Sequence, residues 1–405
     1  MNKTKNCALA FAALGACAPE AQAQDIKLKP LIDARFRYEH VDQDGVADQS
    51  DAATLRVRSG VQASTGPWAA LVESEATIGI DNHYNDGLNG RPLPLVADPQ
   101  NIELNRAQLR YVDHHVTVTA GRQLLDLADQ RFVGPSAWRQ NEQTFDAVRV
   151  TWAGVPRLSI DATYSWSART VNGIDGTPAR PQSVPGDNWF GLASYAAPVG
   201  TLTGFAYLVD QDLASLQGFR LSSQSYGARF AGSRTIAKGW KLGYVTSFAR
   251  QSDYRNNPNR YVASYYLAEA SLSGKVLAAT GGYEVLGADQ GTALTSFQTP
   301  LASFFRFQGW ASKFTTTPPN GLRDLYGTLG ASWKANGPVS GYSVSATWHH
   351  FDSDRLSQHY GDEIDLLAQA RIRRTTVAAR LARYAADAFA TDTTKVFLTL
   401  EWSLS

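Results

Sequence analysis

The chain has 405 residues, with 38 Lys and Arg against 37 Asp and Glu and a formal charge of +1. That balance leaves no basic excess for nucleic acid, and no run approaches the ~18 consecutive apolar residues of a transmembrane helix. A mean hydropathy of −0.27 reads as soluble, but a chain that hides its membrane surface in every second residue lowers its own average.

Lys3 and Lys5, the apolar stretch Ala8 to Ala16 and the triplet Ala21-Gln22-Ala23 read as a secretory signal with an A-x-A cleavage site. The expected division is residues 1–23 as signal and 24–405 as a single barrel domain. A lipoprotein alternative exists, because Leu14-Gly15-Ala16-Cys17 resembles a lipobox. Both cysteines, Cys7 and Cys17, fall in this segment, so the mature chain has no disulfide framework. Removing Lys3, Lys5 and Glu20 leaves 36 basic and 36 acidic residues.

Strand signals then follow one another. Ile32, Ala34, Phe36 and Tyr38 alternate with Asp33, Arg35 and Arg37. Leu55, Val57, Val61 and Ala63 oppose Arg56 and Arg58. The turn Gly66-Pro67 leads into Val72, Ala76, Ile78 and Ile80, across from Glu73 and Glu75. Ala107, Leu109 and Tyr111 alternate with Arg106 and Arg110. Leu158 to Trp166, Trp240 to Phe248, Leu325 to Trp333, Tyr342 to Trp348 and Ile364 to Ile372 repeat the pattern. At the end of the chain Val396, Leu398, Leu400, Trp402 and Leu404 share one face. Successive strand side chains point to opposite faces, so each segment has an apolar and a polar side. Parity is blurred at Trp189 to Ala197 and at Leu202 to Val209, and Arg122 lies on the apolar side unless a bulge intervenes.

Short connections near Gly66, His114, Gly154, Val199, Lys238, Gly274, Gly337 and Arg374 alternate with long ones. Asp81 to Glu103, Leu124 to Thr144, Arg169 to Asp187 and Gly287 to Asn320 are the longest. Sorting of connections by length, with aromatics at 11%, predicts an all-β transmembrane outer-membrane barrel. About eighteen antiparallel strands of roughly ten residues are expected, sixteen and twenty being the neighbouring counts. Short turns would face the periplasm and long loops the exterior.

By parity the inward, pore-lining face carries Arg35, Arg37, Arg56, Arg58, Arg106, Arg110 and Arg149. It continues with Arg229, Arg371, Arg373 and Arg380, and Arg122 joins them if bulged. Glu73, Glu75, Asp161, Glu269, Glu284, Glu363 and Asp365 face the same way. Guanidinium groups hold carboxylates in a bidentate fork, and Arg rings select anions in pores. The same charges could instead brace the wall across strands. A hairpin symmetric about Gly66-Pro67 would set Arg58 opposite Glu75. Glu73 and Glu75 could lie roughly 7 Å apart, within an inverting glycosidase pair's range, but arginine opposite keeps both ionised. His349, His350, Asp352, Asp354, Asp362, Glu363 and Asp365 could form a calcium loop or simply a solvated acidic one, and the latter is preferred. No catalytic residue, metal or cofactor is expected.

The stretches Ser296 to Ala302, Phe307-Gln308-Gly309-Trp310-Ala311 and Thr317 to Tyr326 resemble the alginate-export family of outer-membrane porins. So do Gly121-Arg122-Gln123, Trp138-Arg139-Gln140-Asn141 with Thr144 to Arg149, and Tyr360 to Asp365. Relatives often carry His and Asp around the F-x-G-W-A segment, where this chain has Phe305 and Ser312. The resemblance implies a monomeric eighteen-stranded barrel in outer-membrane lipid, with an arginine-rich lumen passing a polyuronate. A channel for an anionic saccharide or small acid is therefore the leading expectation. A barrel plugged by Gly287 to Asn320, serving adhesion or structure, and more weakly a barrel enzyme, are the alternatives. Mass analysis of the exported protein is expected to give an N-terminus at Gln24; a diacylated Cys17 would establish the lipoprotein route instead.

Overall fold

The computed structural model describes residues 25–404. The first half of the chain forms β1 (Lys27–Gln43), β2 (Ser50–Thr65), β3 (Trp68–His83), β4 (Asn101–Val112), β5 (Val116–Gln123), β6 (Thr144–Val155), β7 (Leu158–Arg169), β8 (Ser183–Ala197) and β9 (Gly200–Val209). The second forms β10 (Ser223–Ala237), β11 (Trp240–Asp253), β12 (Val262–Ser273), β13 (Leu277–Leu286), β14 (Leu322–Lys334), β15 (Val339–Asp352), β16 (His359–Ile372), β17 (Thr375–Ala386) and β18 (Thr393–Ser403). Each strand pairs antiparallel with its chain neighbours, and β1 also pairs with β18 from Asp33↔Ser403 to Gln43↔Thr393. The sheet therefore closes on itself and has no open edge, the condition for a sheet to survive in hydrocarbon.

The expected count of eighteen holds. The eight short connections fall where the sequence placed them, at one rim. The described ends lie at that rim too, since Lys27 pairs with Ser64 beside the Gly66-Pro67 turn. The signal-peptide reading concerns residues outside those described.

Alternation gives the wall two chemistries. Leu329, Ile102, Val344, Trp348, Leu398 and Leu400 are exposed on the outside, while Thr328, Ser345, Phe397 and Thr399 point inward. Parity is blurred in β8 and β9 because their inner face is apolar as well. Phe190, Phe205, Tyr207 and Val209 are buried inside the barrel, where Phe132 packs on Phe205 at 5.1 Å and on Tyr207 at 5.1 Å. Two long connections, residues 124–143 and 287–321, thus fold into the lumen and form an apolar core there with Leu125, Phe297, Leu301 and Phe314.

Leu329→Arg, on the outer face near mid-wall, is expected to lower refolding stability in lipid vesicles by ~2–4 kcal/mol, whereas Ser345→Arg inside should change it little. Equal losses at both positions would contradict the assigned faces.

Candidate functional site: the lumen constriction

Loop 124–143 crosses the lumen with its backbone carbonyls turned toward β1. Arg35 donates through Nη1 to the carbonyls of Ala137, Trp138 and Arg139 at 3.0, 3.0 and 3.1 Å, and through Nε to Glu401 at 2.5 Å. Arg37 donates to the Trp138 carbonyl at 2.7 Å and lies 3.9 Å over the Trp138 ring. Such guanidinium contacts satisfy loop carbonyls that have left the strand ladder, and the face of the indole adds cation–π attraction. From β2, Arg58 pairs with Glu75 at 2.5 Å and with Glu142 of the loop at 3.0 Å. Glu75 in turn accepts the Glu142 backbone N–H at 3.2 Å.

Loop 287–321 is held by the opposite chemistry. Carboxylates of the wall accept its backbone N–H groups: Glu363 from Ala311 at 2.6 Å and Asp365 from Trp310 at 3.1 Å. Gly309 has φ +77°, and a Cβ there would meet the Glu363 carboxylate at 2.4 Å, so this approach requires glycine. Glu284 on β13 ties the two loops together. It accepts Arg131 Nε at 2.7 Å, Gln308 Nε2 at 2.8 Å and the Tyr265 hydroxyl at 2.7 Å. Charge on Glu284 raises the pKa of buried Arg131 against the desolvation that would lower it. Lys313 of the same loop is pushed down to about 8 by burial and by neighbouring Lys395.

Where the loops meet, three rings lie parallel. Trp138 stacks on Phe305 at 3.5 Å and Phe305 on Trp310 at 5.8 Å. Arg380 places its guanidinium 4.9 Å from the Trp138 ring and 5.8 Å from that of Trp310. Two cavities flank the stack, and Phe305, Arg306 and Trp310 border both. One, of about 750 Å³, reaches from Leu95 and Arg180 of the outer loops to Arg35, Arg380 and Glu401 at mid-wall. The other, of about 280 Å³, is bordered by Asp129, Glu269, Glu284, Asp324 and Asp365.

Most of the inward arginines named from the sequence are paired. Arg56 bonds Asp33; Arg106 meets Glu73 at 2.6 Å; Arg149 meets Asp161; Arg229 reaches Asp129 of loop 124–143 at 3.0 Å. Glu269 accepts the Tyr326 hydroxyl at 2.6 Å. Arg110 and Arg371 stand exposed toward the short-turn rim. Two placements need correction. Arg373 sits in the turn between β16 and β17 with φ 55°, below the lumen wall. Arg122 stands opposite Ala107 and Asp146 with no register shift in β5, so it faces outward. Its charge is met there by Asp146 at 2.8 and 3.2 Å and by the Leu104 carbonyl at 3.0 Å.

The acidic run that could have formed one calcium loop is split by strand alternation. His349 turns inward to Asp324 at 2.9 Å and Glu363 and Asp365 hold the inner loop, while His350 and Asp362 face outward. Trp138, Arg139, Arg306 and Trp310 were not singled out as site residues. Trp138, Arg139 and Trp310 lie within the stretches that carry the family resemblance, which was the one signal pointing to them.

A closed eighteen-stranded barrel, apolar outside and narrowed by in-folded loops, is the architecture of an outer-membrane porin. The alginate-export family model matches residues 29–183, so the resemblance read from the sequence is found again over β1 to β7. No curated protein matches the chain. Among solved structures it is similar to OccAB4 of Acinetobacter baumannii, at 11% identity and TM-score 0.71, covering 95% of this chain and 99% of that one. It is also similar to OpdO of Pseudomonas aeruginosa, at 15% and 0.68 over 93% and 97%. OpdK of the same organism, crystallised with vanillate, matches at 12% and 0.64 over 93% and 98%. The protein is an outer-membrane barrel of this porin fold.

Breaking a buried ion pair by removing one partner costs ~3–5 kcal/mol. Arg131→Met is therefore expected to free loop 124–143 and raise single-channel conductance, with Arg131→Met/Glu284→Gln closer to wild type. Unchanged conductance in the single variant would mean that this pair does not set the aperture.

Proposed function

We propose that the protein is a channel for small carboxylate-bearing solutes with a ring to stack, an anionic sugar such as a uronate or a short polyuronate being the leading substrate. The observation that carries this reading is the composition of the 750 Å³ cavity, where Arg35, Arg139, Arg180, Arg306 and Arg380 stand against the single carboxylate of Glu401. Arg35 and Glu401 neutralise each other, so the field rests on the others, above all Arg306 and Arg380. Low-dielectric walls focus such a field and concentrate anions at the mouth. Aromatic edges beside the guanidinium groups suit a pyranose or aryl ring carried with its carboxylate. The vanillate in the OpdK crystal, an aromatic acid, has the same combination. A barrel that encloses its own pore needs no second subunit and, as a channel, no catalytic group or cofactor.

The apolar packing of Phe132, Phe297 and Phe314 inside the barrel favours a second reading, a lumen sealed by its loops. Planar-bilayer recordings separate the two, because a sealed barrel gives no discrete steps. For the channel, Arg306→Gln/Arg380→Gln is expected to lower the chloride-to-potassium permeability ratio, most at low salt where screening is weak. Arg56→Gln, whose partner is Asp33 on the wall, should move the ratio far less. A ratio indifferent to Arg306 and Arg380 would sink the anionic reading.

A further inference from the structure

Outside the lumen, on the outer face at the loop rim, β15 and β16 bring four side chains into a ring. Asp362 lies 2.8 Å from His350 Nδ1 and 3.0 Å from His359 Nε2. Asp352 lies 3.1 Å from His359 Nδ1 and 3.5 Å from His350 Nε2. The two imidazoles stack with centroids 4.4 Å apart. All four groups are half-buried, and none borders the two lumen cavities.

Hydrogen-bond arithmetic singles this ring out. A carboxylate only accepts, so four ring nitrogens facing carboxylates call for four N–H groups, and two neutral imidazoles own two. His350 Nδ1, at 2.8 Å against 3.5 Å for Nε2, donates best to Asp362, and the near-equal 3.0 and 3.1 Å contacts of His359 leave it free to do the same. With both protons toward Asp362, His350 Nε2 and His359 Nδ1 turn bare lone pairs toward the Asp352 carboxylate, an arrangement that a cation between them would relieve.

We infer that His350, His359 and Asp352 bind a divalent transition metal, zinc being the best match, with Asp362 as the carboxylate that orients both imidazoles. Ligand atoms of the three residues lie within 4.8 Å of one another. The 3.1 Å separation runs to Asp352 Oδ1 and the 3.5 Å one to Oδ2, so the carboxylate offers one oxygen to each nitrogen. Each separation is close to the ~3.3 Å edge of a tetrahedron with ~2.0 Å bonds that zinc takes with nitrogen and oxygen ligands. Three protein ligands leave the fourth position to water. A carboxylate behind each metal-bound imidazole fixes its tautomer and raises its basicity. Calcium, which takes 6–8 oxygens, is the wrong ion for a site built half of imidazole.

The test is calorimetric titration of zinc chloride into tag-free, chelator-stripped full-length barrel in detergent, with heat-modifiable gel mobility confirming the fold of each variant. One zinc per chain is expected, unaffected by equimolar calcium and abolished in His350→Ala/His359→Ala. Asp362→Asn, which keeps every ligand, should weaken binding by about 10–100-fold. Binding that survives in the double-histidine variant, or that calcium displaces, would overturn the assignment. So would a wild-type barrel that takes up no zinc. Because the cluster is outside the pore, none of these outcomes bears on the channel reading.

Discussion

Two long loops lie inside a barrel, and a buried backbone group without a partner costs about as much as a lost hydrogen bond. Everything about the lumen follows from how that demand is met. The wall meets carbonyls of loop 124–143 with the guanidinium groups of Arg35 and Arg37. It meets amides of loop 287–321 with the carboxylates of Glu363 and Asp365. Glu75 on β3, Arg229 on β10 and Glu284 on β13 add further anchors, so each loop is held from several strands at once. The charge pattern of the wall is thus first a positioning device, and the field left for solutes is what the docking does not consume.

On the channel reading proposed above, this pairing is how a chain with a formal charge of only +1 leaves an excess of arginines at the larger cavity. Pairing removes Arg56, Arg58, Arg106, Arg149 and Arg229 from the account, and the acidic cavity is set apart behind the Phe305 stack. Buried ion pairs seldom stabilise a fold more than apolar residues of the same volume would, and their surer contribution is specificity of arrangement. Here that specificity is the docked position of the two loops.

The barrel itself was legible in the sequence. Period-two alternation and connections sorted by length are local properties, and they placed all eight short turns and the two faces of most strands, β8 and β9 excepted. The Arg58–Glu75 pair was legible as well, because hairpin symmetry about Gly66-Pro67 fixes its register. What could not be read is where the loops go. Arg131 meets Glu284 across 153 positions, and no periodicity links them. The ambiguity at β8 and β9 was information of another kind: an inner face greasy enough to confuse parity is where Phe132 docks. The outward turn of Arg122 was visible in its parity, but its partner Asp146 lies on the neighbouring strand behind a 20-residue excursion.

Pairing of β1 with β18 has a consequence in time. The eleven residue pairs from Asp33↔Ser403 to Gln43↔Thr393 join the first described strand to the last. No ribosome-bound or half-translocated intermediate can therefore close its cylinder, however well its hairpins form. Until Thr393 to Ser403 arrive, β1 offers a row of unpaired peptide groups to any passing strand, its own or a stranger's. Contacts so distant along the chain are slow to form. The growing barrel accordingly needs a host that shields this edge until those eleven residues arrive.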